Sequence, residues 1–209
     1  MPFSRFWDIT MTLSDDIFVW PGDTPFSRTV RQSRRGDQTW SNSEIQMGLH
    51  TGTHMDAPRH VFEKGGDVNS IPLATLVGAC RVVEVNTEII DESQIIHILP
   101  QPGERILFKT ANSELFSDGQ WHDSYIRFDE KGAQALVESQ VILVGIDGPS
   151  VDPHKAESHP AHTAFCEAGI AVVENLVFRE VEPGDYTLIC LPMKIDGSDG
   201  APVHAILGR

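Results

Sequence analysis

Four runs along the chain carry apolar residues in the manner of strands: 81–85 (Arg-Val-Val-Glu-Val), 105–109 (Arg-Ile-Leu-Phe-Lys), 141–146 (Val-Ile-Leu-Val-Gly-Ile) and 186–191 (Tyr-Thr-Leu-Ile-Cys-Leu). The third is unbroken by any polar residue, the pattern of a strand covered on both faces. Ahead of it, 129–139 reads as a short helix that starts at an acidic cap, Asp129. Residues 71–77 offer another helical turn, and 163–168 a third, ended by Gly169. Glu182-Pro183-Gly184-Asp185 is a turn before the last long strand. Helices that fall between more numerous strands predict an α/β fold, a mixed sheet with short helices. With no repeat and no linker, 1–209 reads as a single domain. Two loops, 145–162 and 194–202, are long and rich in Asp, Gly, Pro and Ser, and long loops in a compact domain are often functional.

Composition narrows the function classes. A net charge of −14 would repel phosphate backbones, which argues against nucleic acid as a partner. No apolar run approaches the roughly 20 residues needed to span a bilayer. The N-terminal stretch from Met1 to Trp7 lacks the basic-then-apolar order of a secretory signal, so a cytoplasmic location is expected. The three cysteines, Cys80, Cys166 and Cys190, are far apart and cannot all pair, in keeping with a reducing compartment. Cys80 and Cys190 lie in apolar runs and read as small core residues, whereas Cys166 follows His162 closely.

The chemistry concentrates in Leu49-His50-Thr51-Gly52-Thr53-His54-Met55-Asp56-Ala57-Pro58-Arg59-His60. Neutral imidazole suits zinc, manganese or iron, and a carboxylate can bridge two ions. His50 and His54 have helical spacing, but the helical zinc-protease motif needs a Glu after its first His, and Thr51 stands there. Gly52 and Pro58 also oppose a helix. A fully extended chain would place His50 roughly 20 Å from Asp56, too far for one cluster. The chain must therefore fold back between them, and Gly52 is the residue able to do so. The expected picture is a strand end running into a tight loop that carries the ligands.

Further ligands are needed for a binuclear site. The segment 152–162 offers His154, His159 and His162, among which composition does not choose. Glu174, in the apolar run 170–176, is either an outward-facing strand residue or a buried carboxylate that needs a cation or donor.

Several further elements stand beside this motif: Trp7-Asp8-Ile9, Trp20-Pro21-Gly22-Asp23-Thr24-Pro25-Phe26, Gly145-Ile146-Asp147-Gly148-Pro149-Ser150-Val151-Asp152-Pro153, Gly184-Asp185-Tyr186 and Ala201-Pro202-Val203-His204. With them the chain resembles, nearly end to end, the bacterial kynurenine formamidases, within the wider cyclase family that also contains isatin hydrolase. The resemblance implies a swivelling β/β/α-type domain, commonly a homodimer, with two divalent ions per chain: zinc, or manganese as in some relatives. Carried over by position, it implies His50, His54, Asp56, His162 and Glu174 as metal ligands. It implies His60 as proton donor and acceptor, and Trp20 as a substrate-binding aromatic. His60 as one more ligand and Trp20 as a plain core residue are the competing roles.

The implied reaction is hydrolysis of N-formyl-L-kynurenine to L-kynurenine and formate, in tryptophan breakdown, with a small aryl formamide as substrate. An amide nitrogen leaves poorly unless protonated, so an imidazole acting first as base and then as acid fits the chemistry. Opening of isatin or another cyclic amide is the alternative, and a metal-holding protein without turnover is the alternative of another class. Three positions depart from the family pattern. Thr163 and the segment 166–168 lack histidines usual there, and His204 stands where Arg is common. None of the three is an expected ligand, so they bear on substrate identity and not on metal binding.

Overall fold

The computed structural model describes residues 3–209, so Met1 and Pro2, which open the stretch read above for a signal, lie outside the described residues. Its strands are β1 (Phe6–Asp8), β2 (Ser27–Arg35), β3 (Gln38–Gln46), β4 (His54–Asp56), β5 (Val77–Glu84), β6 (Ile89–Ile90), β7 (Arg105–Lys109), β8 (Arg127–Phe128), β9 (Leu143–Ile146), β10 (Ala171–Glu174), β11 (Gly184–Pro192) and β12 (Gly200–Gly208). The helices are α1 (Leu73–Leu76), α2 (Glu92–Ile98), α3 (Asn112–Leu115), α4 (Glu130–Glu138) and α5 (Pro160–Glu167). The main sheet runs β1-β12-β11-β5-β7-β9-β10-β4, and a further pairing of β12 with β4 closes it into a barrel. Strands β5, β7, β9 and β10 are parallel, whereas β4, β11 and β12 join antiparallel. This is the mixed α/β architecture expected from the apolar runs.

The unbroken run at 141–146 is explained by two cores. Leu143 and Val173 face the barrel interior with Val82, Leu107, Met55 and Leu188. Val144, Ile146 and Val172 face the other way, against Ile95, Leu136 and Phe165 of the covering helices. The sheet is thus apolar on both faces, and alternation disappears. Helix α4 begins where expected, because the Asp129 carboxylate accepts from the Gly132 backbone N–H. Helix α5 begins earlier than the expected 163, since Pro160 supplies a first-turn residue with φ already set. Gly169, at φ +70°, follows its last turn. Among the described residues no helix is long and apolar enough to cross a membrane.

One large element escaped the pattern analysis. Strands β2 and β3 form a hairpin in register from Ser27↔Gln46 to Arg35↔Gln38, and every residue of both strands is exposed. Its polar sequence buries nothing, so apolar periodicity is silent. The readable signal is the two-residue turn Gly36-Asp37, with Gly36 at φ +60°.

Candidate metal centre

The loop and the strand of the His-rich segment occur in the reverse of the expected order. His50 stands on a loop that turns at Gly52, whose φ is +68°, and only then does the chain enter β4, which carries His54 and Asp56. The reason lies in the ladder. β4 is wedged between β10 and β12, pairing His54 with Glu174 and Pro202, and Asp56 with Val172 and Gly200. Met55 points into the barrel core, so His54 and Asp56 project together to the opposite face, where Glu174, the ladder partner of His54, also lies. His162, on the first turn of α5, reaches the same face from the helix layer. His60 follows on the short 3₁₀ turn Pro58–His60, which Pro58 opens.

The donors form two groups that share Asp56: His50, His54 and Asp56 in one, Asp56, His162 and Glu174 in the other. Asp56 Oδ1 lies 2.9 Å from His50 Nδ1 and 3.4 Å from His54 Nε2, while its Oδ2 lies 3.3 Å from His162 Nε2. Glu174 sits 3.3 Å from His54 Nε2 through one oxygen and 3.3 Å from His162 Nε2 through the other. Neighbouring ligands around a tetrahedral ion with bonds of about 2.0–2.1 Å stand roughly 3.3 Å apart, so most of these separations match such a polyhedron. Asp56 Oδ2 is buried without a hydrogen-bond partner, an arrangement that a cation would satisfy. The donor set therefore fits a pair of divalent ions, with Asp56 and Glu174 each facing both groups.

Each of these imidazoles has its other nitrogen engaged. His54 Nδ1 lies 2.9 Å from the Gly52 carbonyl, which can only accept, so Nδ1 carries a hydrogen and Nε2 is turned to the carboxylates. His162 Nδ1 donates to Asp152 Oδ2 at 2.6 Å, and the same carboxylate accepts from the Ala161 and His162 backbone N–H groups. His50 Nε2 lies 3.1 Å from Asp199 Oδ2. Such outer partners set tautomer and ring orientation in metal sites. Gly200 is required beside His50: a Cβ there would lie 2.7 Å from the His50 ring and 2.9 Å from the Met55 carbonyl. Asp152 and Asp199 were not singled out from the sequence, because an outer-shell carboxylate has no spacing of its own relative to the histidine it serves.

Electrostatics favour positive charge here. Burial alone would lower the His54 pKa, but hydrogen bonds and charge from Asp56 and Glu174 outweigh it and raise it to about 10. His162 is likewise raised, burial being overcome by Asp152, Asp56 and Glu174. Asp56 and Glu174 are held below their ordinary values, against their own burial, by the surrounding imidazoles. Protons on these rings balance the same two buried carboxylates that metal ions would balance. His60 behaves differently: burial and the His50 and His162 rings depress it despite nearby carboxylates.

The centre forms one wall of a cavity of about 480 Å³. His50, His54, His60, His162, Glu174 and Asp199 line that wall, and Phe18, Trp20 and Trp121 line another. Trp20 is half-buried, edge-on to Trp121 at 5.0 Å and to His154 at 5.1 Å. His154 thus packs against Trp20 and Trp121 and does not itself line the cavity. His159 is exposed at the start of α5 and groups with Asp152 and His162, apart from Asp56. His204 lies outside this cavity, 72% exposed and 3.3 Å from Asp8, so the departure at that position does not touch the pocket. No lysine or arginine lines the cavity among the described residues. Cys166 is buried and its thiol is pushed up to about 11 by burial, which leaves it a packing residue.

The family model described as "Putative cyclase" matches residues 7–153. This chain belongs to the cyclase family. It is 40% identical over 203 residues to a kynurenine formamidase of Salinibacter ruber, covering 96% of this chain and 95% of that one. Among solved structures, a protein described as a predicted metal-dependent hydrolase from Bacillus stearothermophilus superposes with a TM-score of 0.83 at 33% identity, over 97% of both chains. Isatin hydrolase A from Ralstonia solanacearum shares the fold, with a TM-score of 0.80 over 97% of this chain and 91% of that one, at 21% identity.

Proposed function

We propose that this chain is an arylformamidase that hydrolyses N-formyl-L-kynurenine to L-kynurenine and formate, as one metal-dependent hydrolase domain spanning residues 1–209, and acts in the cytoplasm. The observation that carries the reading is the convergence of five buried or half-buried donors, four of which (His50, His54, His162 and Glu174) line a cavity that also has an aromatic wall. The full-length likeness to a kynurenine formamidase supports the substrate. In this reading His50, His54, Asp56, His162 and Glu174 hold two divalent ions, zinc in the first instance and manganese as the alternative. When bound, the ions supply Lewis acidity, which polarises an amide carbonyl and makes water a competent nucleophile near neutral pH.

The chain's own residues do the rest. Phe18, Trp20 and Trp121 receive the aryl ring and exclude water from its faces. The formamide then lies against the histidine wall. His60 is neutral at neutral pH, since burial and neighbouring rings hold it low. Its Nε2, the ring nitrogen turned away from Asp199, takes the proton of the attacking water and returns it to the departing arylamine nitrogen. The zinc-loaded protein is expected to release formate from N-formylkynurenine, to leave isatin closed, and to lose activity on chelation. Opening of isatin without formate release would move the activity to the cyclic-amide branch. Full metal occupancy with neither reaction would make the protein a metal holder.

The homodimer belongs to the same proposal. A lone two-stranded hairpin is marginal in water, yet β2 and β3 pack chiefly on each other. They carry Arg28, Arg31, Arg34 and Arg35 and expose Trp40 and Ile45, within a chain of net charge −14. An arm rich in arginine on an acidic body is complementary to a second copy. Sedimentation should give twice the chain mass for the native protein, and the monomer after 27–46 is replaced by a short Gly-Ser turn. A monomeric native protein at micromolar concentration would overturn this pairing.

A further inference from the structure

Asp199, the outer partner of His50, also faces the imidazole assigned to proton transfer. Its Oδ2 is 3.1 Å from His50 Nε2 and 3.8 Å from His60 Nδ1, and the two rings lie face to face with centroids 4.2 Å apart and planes inclined by 36°. One carboxylate oxygen therefore stands between an imidazole of the donor cluster and the imidazole assigned to proton transfer. Its position is fixed by the fold. The Asp199 carbonyl accepts from the Ala57 N–H at 2.9 Å, directly after β4, and the next residue, Gly200, pairs with Asp56 in the ladder. The preceding loop is tied down where the Gly197 N–H donates to Asp67 at 2.8 Å and Asn69 donates to the Ile195 carbonyl at 2.8 Å.

We propose that Asp199 is a positioning residue for both histidines, seating His50 through Nε2–H and holding His60 through Nδ1–H so that the remaining nitrogen of each ring faces the reacting centre. Resting on the formamidase reading, the inference adds to it a carboxylate shared between metal seating and proton transfer. With His50 Nδ1 facing Asp56 at 2.9 Å, the hydrogen on Nε2 has Asp199 as its hydrogen-bond acceptor among the described residues. For His60 the separation of 3.8 Å is longer than a hydrogen bond, as is common before substrate closes a site. A carboxylate on one imidazole nitrogen selects the tautomer that presents the other, which is how Asp serves His in hydrolytic triads.

The test compares Asp199→Asn and Asp199→Ala with Asp196→Asn, a change at an exposed residue of the same loop. Zinc affinity is measured by competition with a chromophoric chelator, and kcat and KM are measured on the aryl formamide at saturating zinc. Both Asp199 variants are expected to bind zinc roughly 10–100-fold more weakly, the usual cost of losing an outer-shell partner. At saturating zinc their kcat should still fall by about 10-fold or more with KM within about threefold, while Asp196→Asn matches the native protein in both assays. Native zinc affinity in Asp199→Asn would overturn the seating of His50, and native kcat at saturating zinc would overturn the hold on His60. If the native protein hydrolyses no formamide, the functional reading fails by itself, and the zinc titration still decides the His50 half.

Discussion

Asp56→Asn is expected to abolish the metal centre. Asp56 belongs to both donor groups, with Oδ1 toward His50 and His54 and Oδ2 toward His162. An amide nitrogen in place of Oδ2 presents hydrogens where a cation would sit, and the remaining oxygen serves at most one side. The change also removes one of the buried charges that hold His54 at about 10 and raise His162, so these rings lose affinity for any positive partner. Metal analysis should fall from two ions per chain to fewer than one. Turnover should drop by roughly 10⁴-fold or more, since a rate enhancement that depends on the ions goes with them. Adding zinc should raise the melting temperature of the native protein by mass action and leave that of Asp56→Asn unchanged. A variant that retained two ions would show that the shared carboxylate is not what holds the pair.

His60→Ala is the second change with a large effect, and its signature is the opposite one. The side chain is 37% exposed on a 3₁₀ turn and belongs to no apolar cluster, so its loss should cost the fold little. Its ring lies 5.5 Å from that of His162, close enough to serve the same reacting atoms while standing outside the two donor groups that share Asp56. Metal content should remain at the native value while kcat falls by roughly 10²–10⁴-fold, the range of acid–base assistance. Substrates with better leaving arylamines should suffer less, because they need less proton donation. Loss of metal in this variant would instead give His60 the competing role of ligand.

The His50–His60 segment, with its need to fold back at Gly52, was readable from spacing alone, because chain length limits how far donors can lie from a shared ion. The apolar runs at 81–85, 105–109, 141–146 and 186–191 each lie within or overlap a strand of the barrel, and Asp129 caps α4 as read. The order of loop and strand around His54 was not readable. β4 is three residues long, too short for alternation to register, and it exists because β10 and β12 pair with it from both sides. The β2–β3 arm was missed for the converse reason: it has the ladder of a hairpin with no buried face.

By itself the sequence determined which chemical groups are available, the alternating and continuous apolar patterns that build a barrel under helices, and the turn that brings His50 back toward Asp56. Only the tertiary structure decided that Glu174 faces inward opposite His54, that His162 and not His154 or His159 meets Asp56, and that Asp152 and Asp199 engage the outer nitrogens of His162 and His50. The physical reason is range. Patterns along a chain report which face of a local element is buried, whereas a metal centre is assembled by ladder register and helix packing between segments more than a hundred residues apart.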